Sequence, residues 1–169
     1  AVMRGHTACL QLLIDAKANI EVHSDGGMAT LMWAASNGPD ECMQLLISAK
    51  ANLRATDLFG EGVVIWAAKS GRETSLPLLI DAEADIDAQD DSGFNALMWA
   101  AYYGYTACLE RLLHLKADIE ATNEDGETAL MVAAVQGQPA CVEMLLCGEA
   151  IVDAMNDTGR LRRLRLAFL

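Results

Sequence analysis

The sequence predicts an all-α solenoid of 33-residue helix-turn-helix units joined by short turn or hairpin connections. Three observations carry this. Met32-Trp33-Ala34-Ala35 returns as Ile65-Trp66-Ala67-Ala68, Met98-Trp99-Ala100-Ala101 and Met131-Val132-Ala133-Ala134, with no insertion between copies. A glycine keeps the same step at Gly5, Gly38, Gly71, Gly104 and Gly137. After each glycine comes a second run with leucines at helical spacing. Self-similarity at a fixed period of this length marks stacked units, none of which can bury its apolar face alone.

Each unit opens on a turn: Asp25-Gly26-Gly27, Leu58-Phe59-Gly60, Asp91-Ser92-Gly93 and Glu124-Asp125-Gly126. Glycine there supplies the positive φ of a tight reversal. A short apolar helix follows, over residues 95–103 in the third complete unit, and Gly104 ends it. The second helix covers 106–115 in that unit. Pro39 and Pro139 fall at the start of this element, where a missing N–H costs nothing. A short extended return closes each unit, as in Ala18-Asn19-Ile20 and Ala117-Asp118-Ile119. In the second unit Gly62 stands where the first helix should start. Pro77 lies inside the second helix, so a bent or shortened helix is expected around 75–79.

The register divides an array of residues 1–159 into a partial unit, 1–23, and four complete ones, 24–56, 57–89, 90–122 and 123–155. Residue 1 falls at the end of a first helix, so the chain is expected to be a segment of a longer protein with more units upstream. Residues 160–169 lose the pattern: the column of Leu31, Leu97 and Leu130 carries Arg163. This stretch reads as a degenerate cap or as a basic tail that reaches an acidic surface.

The unit of turn, helix, helix and return resembles the ankyrin repeat. The clearest matches are Gly126-Glu127-Thr128-Ala129-Leu130-Met131-Val132-Ala133-Ala134, Gly137, Met144-Leu145-Leu146 and Ala117-Asp118-Ile119-Glu120-Ala121. Two features depart from that family. Its Thr-Pro-Leu-His opening reads Ala29-Thr30-Leu31-Met32, Gly62-Val63-Val64-Ile65, Asn95-Ala96-Leu97-Met98 and Thr128-Ala129-Leu130-Met131, so Met and Ile are expected to replace the hydrogen bonds of the histidine by apolar contact. The glycine usual after the second helix is Lys17, Lys50, Glu83, Lys116 or Glu149. If the backbone stays left-handed there, each costs about 1 kcal/mol relative to glycine.

Net charge is −12 and the pI about 4.5. A basic face, the footprint of a nucleic-acid binder, is therefore not expected. All 24 acidic residues lie at or before Asp157, whereas Arg160, Arg162, Arg163 and Arg165 crowd the last ten positions. No apolar run is long enough to span a bilayer, and no signal peptide opens the chain.

Several columns invite a chemical reading. Cys9, Cys42, Cys108 and Cys141 share one column, with Ser75 completing it. They lack the short spacing of a zinc site and are expected to pack on the inner face of the second helix. Stacked helices hold such residues too far apart for a disulfide. Free thiols, Cys147 among them, point to an intracellular, reducing compartment, with the cytoplasm first. Trp33, Trp66 and Trp99 are expected in the core. His6, His23 and His114 share no column. Asp85, Asp87, Asp90 and Asp91 cluster in one return, but without the order of a calcium loop. No catalytic triad, phosphate loop or dinucleotide fingerprint is present, so no enzyme activity, cofactor or metal is assigned.

The resemblance implies that a partner contacts the turn tips and the exposed end of the first helix. By register these positions include Met28 and Asn37, then Leu58, Phe59 and Lys69, then Phe94, Tyr102 and Tyr103, then Gln136, with Tyr105 just beyond. Four of the chain's nine aromatics fall on these positions. Aromatics clustered on one face are the material of binding hot spots. The expected function is a protein-interaction scaffold or adaptor whose partner presents a basic surface. The alternatives are a structural subunit or spacer fixed in a larger assembly, and a regulatory segment of a longer enzyme.

Overall fold

In a computed structural model, residues 2–150 are described. The tail at 160–169 and the end of the last unit lie outside these residues. After a 3₁₀ turn at Val2–Arg4 come α1 (Thr7–Asp15), α2 (Thr30–Asn37), α3 (Asp40–Ser48), α4 (Val63–Lys69), α5 (Ser75–Asp81), α6 (Ala96–Tyr103), α7 (Thr106–His114), α8 (Ala129–Val135) and α9 (Pro139–Cys147). The first helices α2, α4, α6 and α8 pack side by side in one layer. The second helices α1, α3, α5, α7 and α9 form the other layer, and each unit packs its own pair together. Among the described residues no strand forms; only the bridges His23 to Ala29 and Thr56 to Gly62 mark the hairpin-like bases of two turns.

The core follows the period. Leu31, Val64, Leu97 and Leu130 are buried in the first layer, and Leu46, Leu79, Leu112 and Leu145 in the second. The paired alanines of the first helices are almost entirely buried, as is the Met or Ile before them, with Ala134 of the last unit partly buried. A methyl side chain lets neighbouring helices approach closely, and the leucines fill what remains.

Local chemistry sets the ends of the elements. Asn95 caps α6 by accepting from the Met98 backbone N–H at 3.0 Å. Gly38 is extended, not left-handed like Gly5, Gly71, Gly104 and Gly137. The following Pro39 excludes helical conformations from the residue before it. The returns are turns, not extended pieces: Asn19, Asn52, Asp85 and Asp118 each accept from the backbone N–H two residues on, at 2.9–3.1 Å.

Pro77 shortens its helix without breaking it. α5 has seven residues, whereas the other second helices have nine. It starts two residues late, after a turn in which Ser75 N–H donates to Arg72 O. Pro77 then falls in the first turn, where its missing N–H has no helical acceptor to lose.

Lys17, Lys50, Glu83, Lys116 and Glu149 all have positive φ, between 58° and 70°. Five non-glycine residues hold the conformation that closes each second helix, at the steric cost expected for a side chain there. Lys50→Gly, Glu83→Gly and Lys116→Gly should each raise the unfolding free energy by about 1 kcal/mol in urea titrations. No gain in any of the three would contradict a strained left-handed backbone.

Candidate binding surface

The surface is built by the turn tips and the outward side of the first helices. Successive tips are tied backbone to backbone: Leu58 N–H to Gly26 O at 3.4 Å, Asp91 to Phe59 O at 3.0 Å, and Glu124 to Ser92 O at 3.2 Å. Such close contact needs glycine. A Cβ on Gly93, at φ 76°, would lie 2.7 Å from Glu124 N.

Each tip is also tied to its own helix. Asp57 Oδ1 accepts from the Phe59 and Glu61 backbone N–H groups, and Oδ2 accepts from Trp66 Nε1 at 3.1 Å. Asp90 repeats this with Ser92, Phe94 and Trp99, the last at 2.9 Å. Asn123 keeps the two turn bonds, to Asp125 and Glu127, where Val132 has replaced the tryptophan. In the second and third units an aspartate nine residues before the tryptophan thus fixes the tip to its own helix. In the first complete unit Met32 Sδ also accepts from Ala29 N–H at 3.3 Å.

The tryptophans are not core residues. Trp33, Trp66 and Trp99 are half-buried, with one side against the core and the other on the outer face of the first layer. The alanines beside them occupy the tight helix contact, which has no room for an indole. The seam is therefore Met or Ile with the two alanines, and the tryptophans belong to the surface.

In the third complete unit this surface becomes a continuous aromatic cluster. Trp99 lies 5.0 Å from Phe94, 5.5 Å from Tyr102 and 5.8 Å from Tyr103 between ring centroids. Tyr103 stacks on Tyr105 at 5.7 Å. Tyr103 is 44% and Tyr105 39% exposed, while Phe94 and Tyr102 are half-buried beneath them. Tyr105 also lies over Gly71 of the preceding unit. The same column holds Arg72, which donates to Gly38 O at 2.7 Å and to Asp40 at 3.0 Å. It also holds Gln138, which donates to Tyr102 O at 3.3 Å. Residues in this column latch one unit to the one before.

The second unit adds a buried ion pair. Glu61 is 5% exposed and pairs with Lys69. The Lys69 ammonium sits 4.4 Å from the Trp99 ring centroid and 5.1 Å from that of Trp66. Burial pushes the Glu61 carboxyl above its ordinary value, against the lowering effect of Lys69.

The structure does not bring all the expected contact residues to the surface. Leu58 and Phe59 are largely exposed, and Asn37 and Gln136 are exposed. Met28 is buried at 7% and lines a cavity together with Val2, Leu10, Ile20 and Trp33. Beside the expected contact residues on the same face, Glu61 and Ser36 are buried as well. Sequence reasoning missed the Trp66–Lys69–Trp99 stack and the aspartate ties. Their signals are the fixed nine-residue offset from Asp57 to Trp66 and from Asp90 to Trp99, and the change to Asn123 where the tryptophan is lost.

Cys42, Cys108 and Cys141 are buried, whereas Cys9 and Cys147 are exposed. Cys9 thus departs from the packing expected of its column. Burial pushes the Cys108 thiol up to about 12 and raises Cys141, which removes them from thiolate chemistry at neutral pH. Three of the four acids in the cluster are spent on structure: Asp85 and Asp90 hold turns, and Asp87 accepts from Asp118 N–H of the next unit at 2.8 Å. Among the described residues no group of three His, Cys, Asp or Glu side chains is placed to hold a metal ion. No helix among them is long and apolar enough to cross a membrane.

Units one and three replace the Glu61–Lys69 pair by Met28 with Ser36 and by Phe94 with Tyr102. Lys69→Tyr alone should cost about 3 kcal/mol, because it strands a buried carboxylate. Adding Glu61→Phe should recover most of that loss; additive losses would contradict a pairwise contact. The raised carboxyl has its own signature. Folded Glu61 holds its proton more tightly than the unfolded chain does, so its contribution to stability falls as pH rises above the ordinary value of 4.5 through the folded value. Across that window the wild type should lose stability relative to Glu61→Gln. Parallel stability–pH curves would rule the shift out.

A search of curated proteins found no match. The family model described as ankyrin repeats matches residues 1–57 and 64–156, in three copies. The unmatched interval falls on the second unit's opening, where Gly62 replaces the usual start of the first helix. Members of this family characteristically bind other proteins. With most of its length matched and its helices stacked in two layers, the chain belongs to the ankyrin-repeat family.

Proposed function

We propose that this chain is a non-catalytic protein-binding scaffold that holds a partner on its turn-tip and first-helix face. The observation that carries the reading is the exposed aromatic cluster of the third unit, centred on Tyr103 and continued by Tyr105. Large amphipathic rings that are already packed against one another lose little freedom on binding, which is why they dominate interface energetics. Leu58 and Phe59, at 68% and 69% exposure, extend the apolar surface along the tips. An interface of standard size would bury about 800 Å² of this face.

The charge of −12 favours a partner with a basic surface and speeds its encounter, and it disfavours a nucleic acid. Unpaired thiols suit a reducing compartment, and we place the protein in the cytoplasm.

Tyr102→Ala combined with Tyr103→Ala should weaken partner binding at least about tenfold while the helical circular dichroism and cooperative melt persist. Full affinity in a folded double variant would exclude this face.

A further inference from the structure

We infer that the second complete unit holds a site for a small organic acid, one carboxylate on an apolar body, independent of the face proposed above. The site lies where a ladder of carboxylates is broken. Glu21 Oε1 accepts from Asn52 N–H at 2.8 Å, and Asp87 Oδ1 accepts from Asp118 N–H at 2.8 Å. In each case a carboxylate of one return takes a backbone N–H 31 residues on and ties the next return to it. Arg54 stands between these two acids in the same column. A guanidinium has no acceptor to offer. The corresponding N–H, that of Asp85, has no acceptor among the described residues, and the Arg54 guanidinium has no partner among them either. Two donors are thus left over where the joints on either side carry a carboxylate.

Arg54 and Asp85 line one cavity of about 360 Å³, a volume suited to a small molecule. Leu53, Val63 and Ile65 give it apolar walls, its charged residues are Arg54, Glu83 and Asp85, and none of the aromatics of the candidate binding surface lines it. Gly62 accounts for part of the space. Its column holds the buried side chains of Ala29, Asn95 and Thr128 in the other units. At Gly62 a Cβ would meet only Ala55 O, at 4.0 Å.

The donors select the head of the ligand and the void selects its body. A carboxylate accepts from the Arg54 guanidinium and from Asp85 N–H, and both bonds are charge-assisted. Glu83 and Asp85 repel further negative charge, so the site takes a single carboxylate and rejects a dicarboxylate. An aliphatic or phenyl group then lies against Leu53, Val63 and Ile65, in the space of the missing side chain.

The test titrates the isotope-labelled full chain with phenylbutyrate, with its amide, and with the dicarboxylate phenylsuccinate, and follows the backbone amide resonances. Phenylbutyrate should move the Asp85 amide downfield to saturation and bind at least about tenfold more tightly than either of the others. Arg54→Gln should lower its affinity at least about tenfold. Gly62→Thr, which restores the side chain of Thr128, should do the same by filling the void. Arg54→Glu should supply the carboxylate from within, as Glu21 does, shift the Asp85 amide without ligand and abolish binding. Arg54 is exposed, so its variants decide the matter if Gly62→Thr fails to fold. An Asp85 amide that stays in place, equal binding of the amide or the dicarboxylate, or full affinity in any folded variant would overturn the inference.

Discussion

The close contact between first helices at Ala34-Ala35, Ala67-Ala68, Ala100-Ala101 and Ala133-Ala134 is the constraint on which the rest depends. These alanines are buried or nearly so, and the Met or Ile before them is fully enclosed. With that contact fixed, the intervening position cannot also point inward. An indole there reaches the outer face in the first three units, whereas the smaller Val132 of the fourth is buried. Tryptophan stands there three times. The proposed binding surface is thus a consequence of packing: the same seam that sets the repeat sets the ladder of rings.

The acidic residues divide into two kinds. Asp57 and Asp90, like the amide Asn123 in their column, accept backbone N–H groups in the tips, and Asp85 and Asp118 do so in the returns. These are structural acceptors, and two of them fix an indole N–H besides. The exposed acids at the tips, Asp91, Glu124 and Asp125, make no such side-chain bond and give the face its field. Glu61 stands apart. Its burial is tolerable because Lys69 neutralises it, and Lys69 is held in turn by two indole rings. The neighbouring units dispense with this pair and use apolar or aromatic side chains at the same positions.

Much of the fold could be read before any coordinates. Leucine columns, breaking glycines and tip glycines repeat because each serves one geometric need that recurs every 33 residues. The left-handed Lys17, Lys50, Glu83, Lys116 and Glu149 were legible for the same reason. What stayed hidden depends on contacts between units. Trp33, Trp66 and Trp99 look like core residues because size and hydrophobicity do not say which side of a helix the tight contact takes. Met28 and Phe94 share a column, yet one is buried under the first turn and the other joins the aromatic cluster. Pro77 could be seen to disturb its helix, but not that a late start would place it where proline is harmless. Tyr102, Tyr103 and Tyr105 drew the candidate site to the third unit from the sequence alone. Its extension through Trp99 to Lys69 needed the ring distances.

The central claim is that a protein partner is held on the tip and first-helix face and not on the second-helix layer. A photo-reactive phenylalanine analogue placed at position 103 on α6, and separately at the exposed position 111 on α7, tests it most directly in the full chain. The account expects a crosslinked partner from position 103 and none from position 111. Crosslinking from position 111 alone would contradict it.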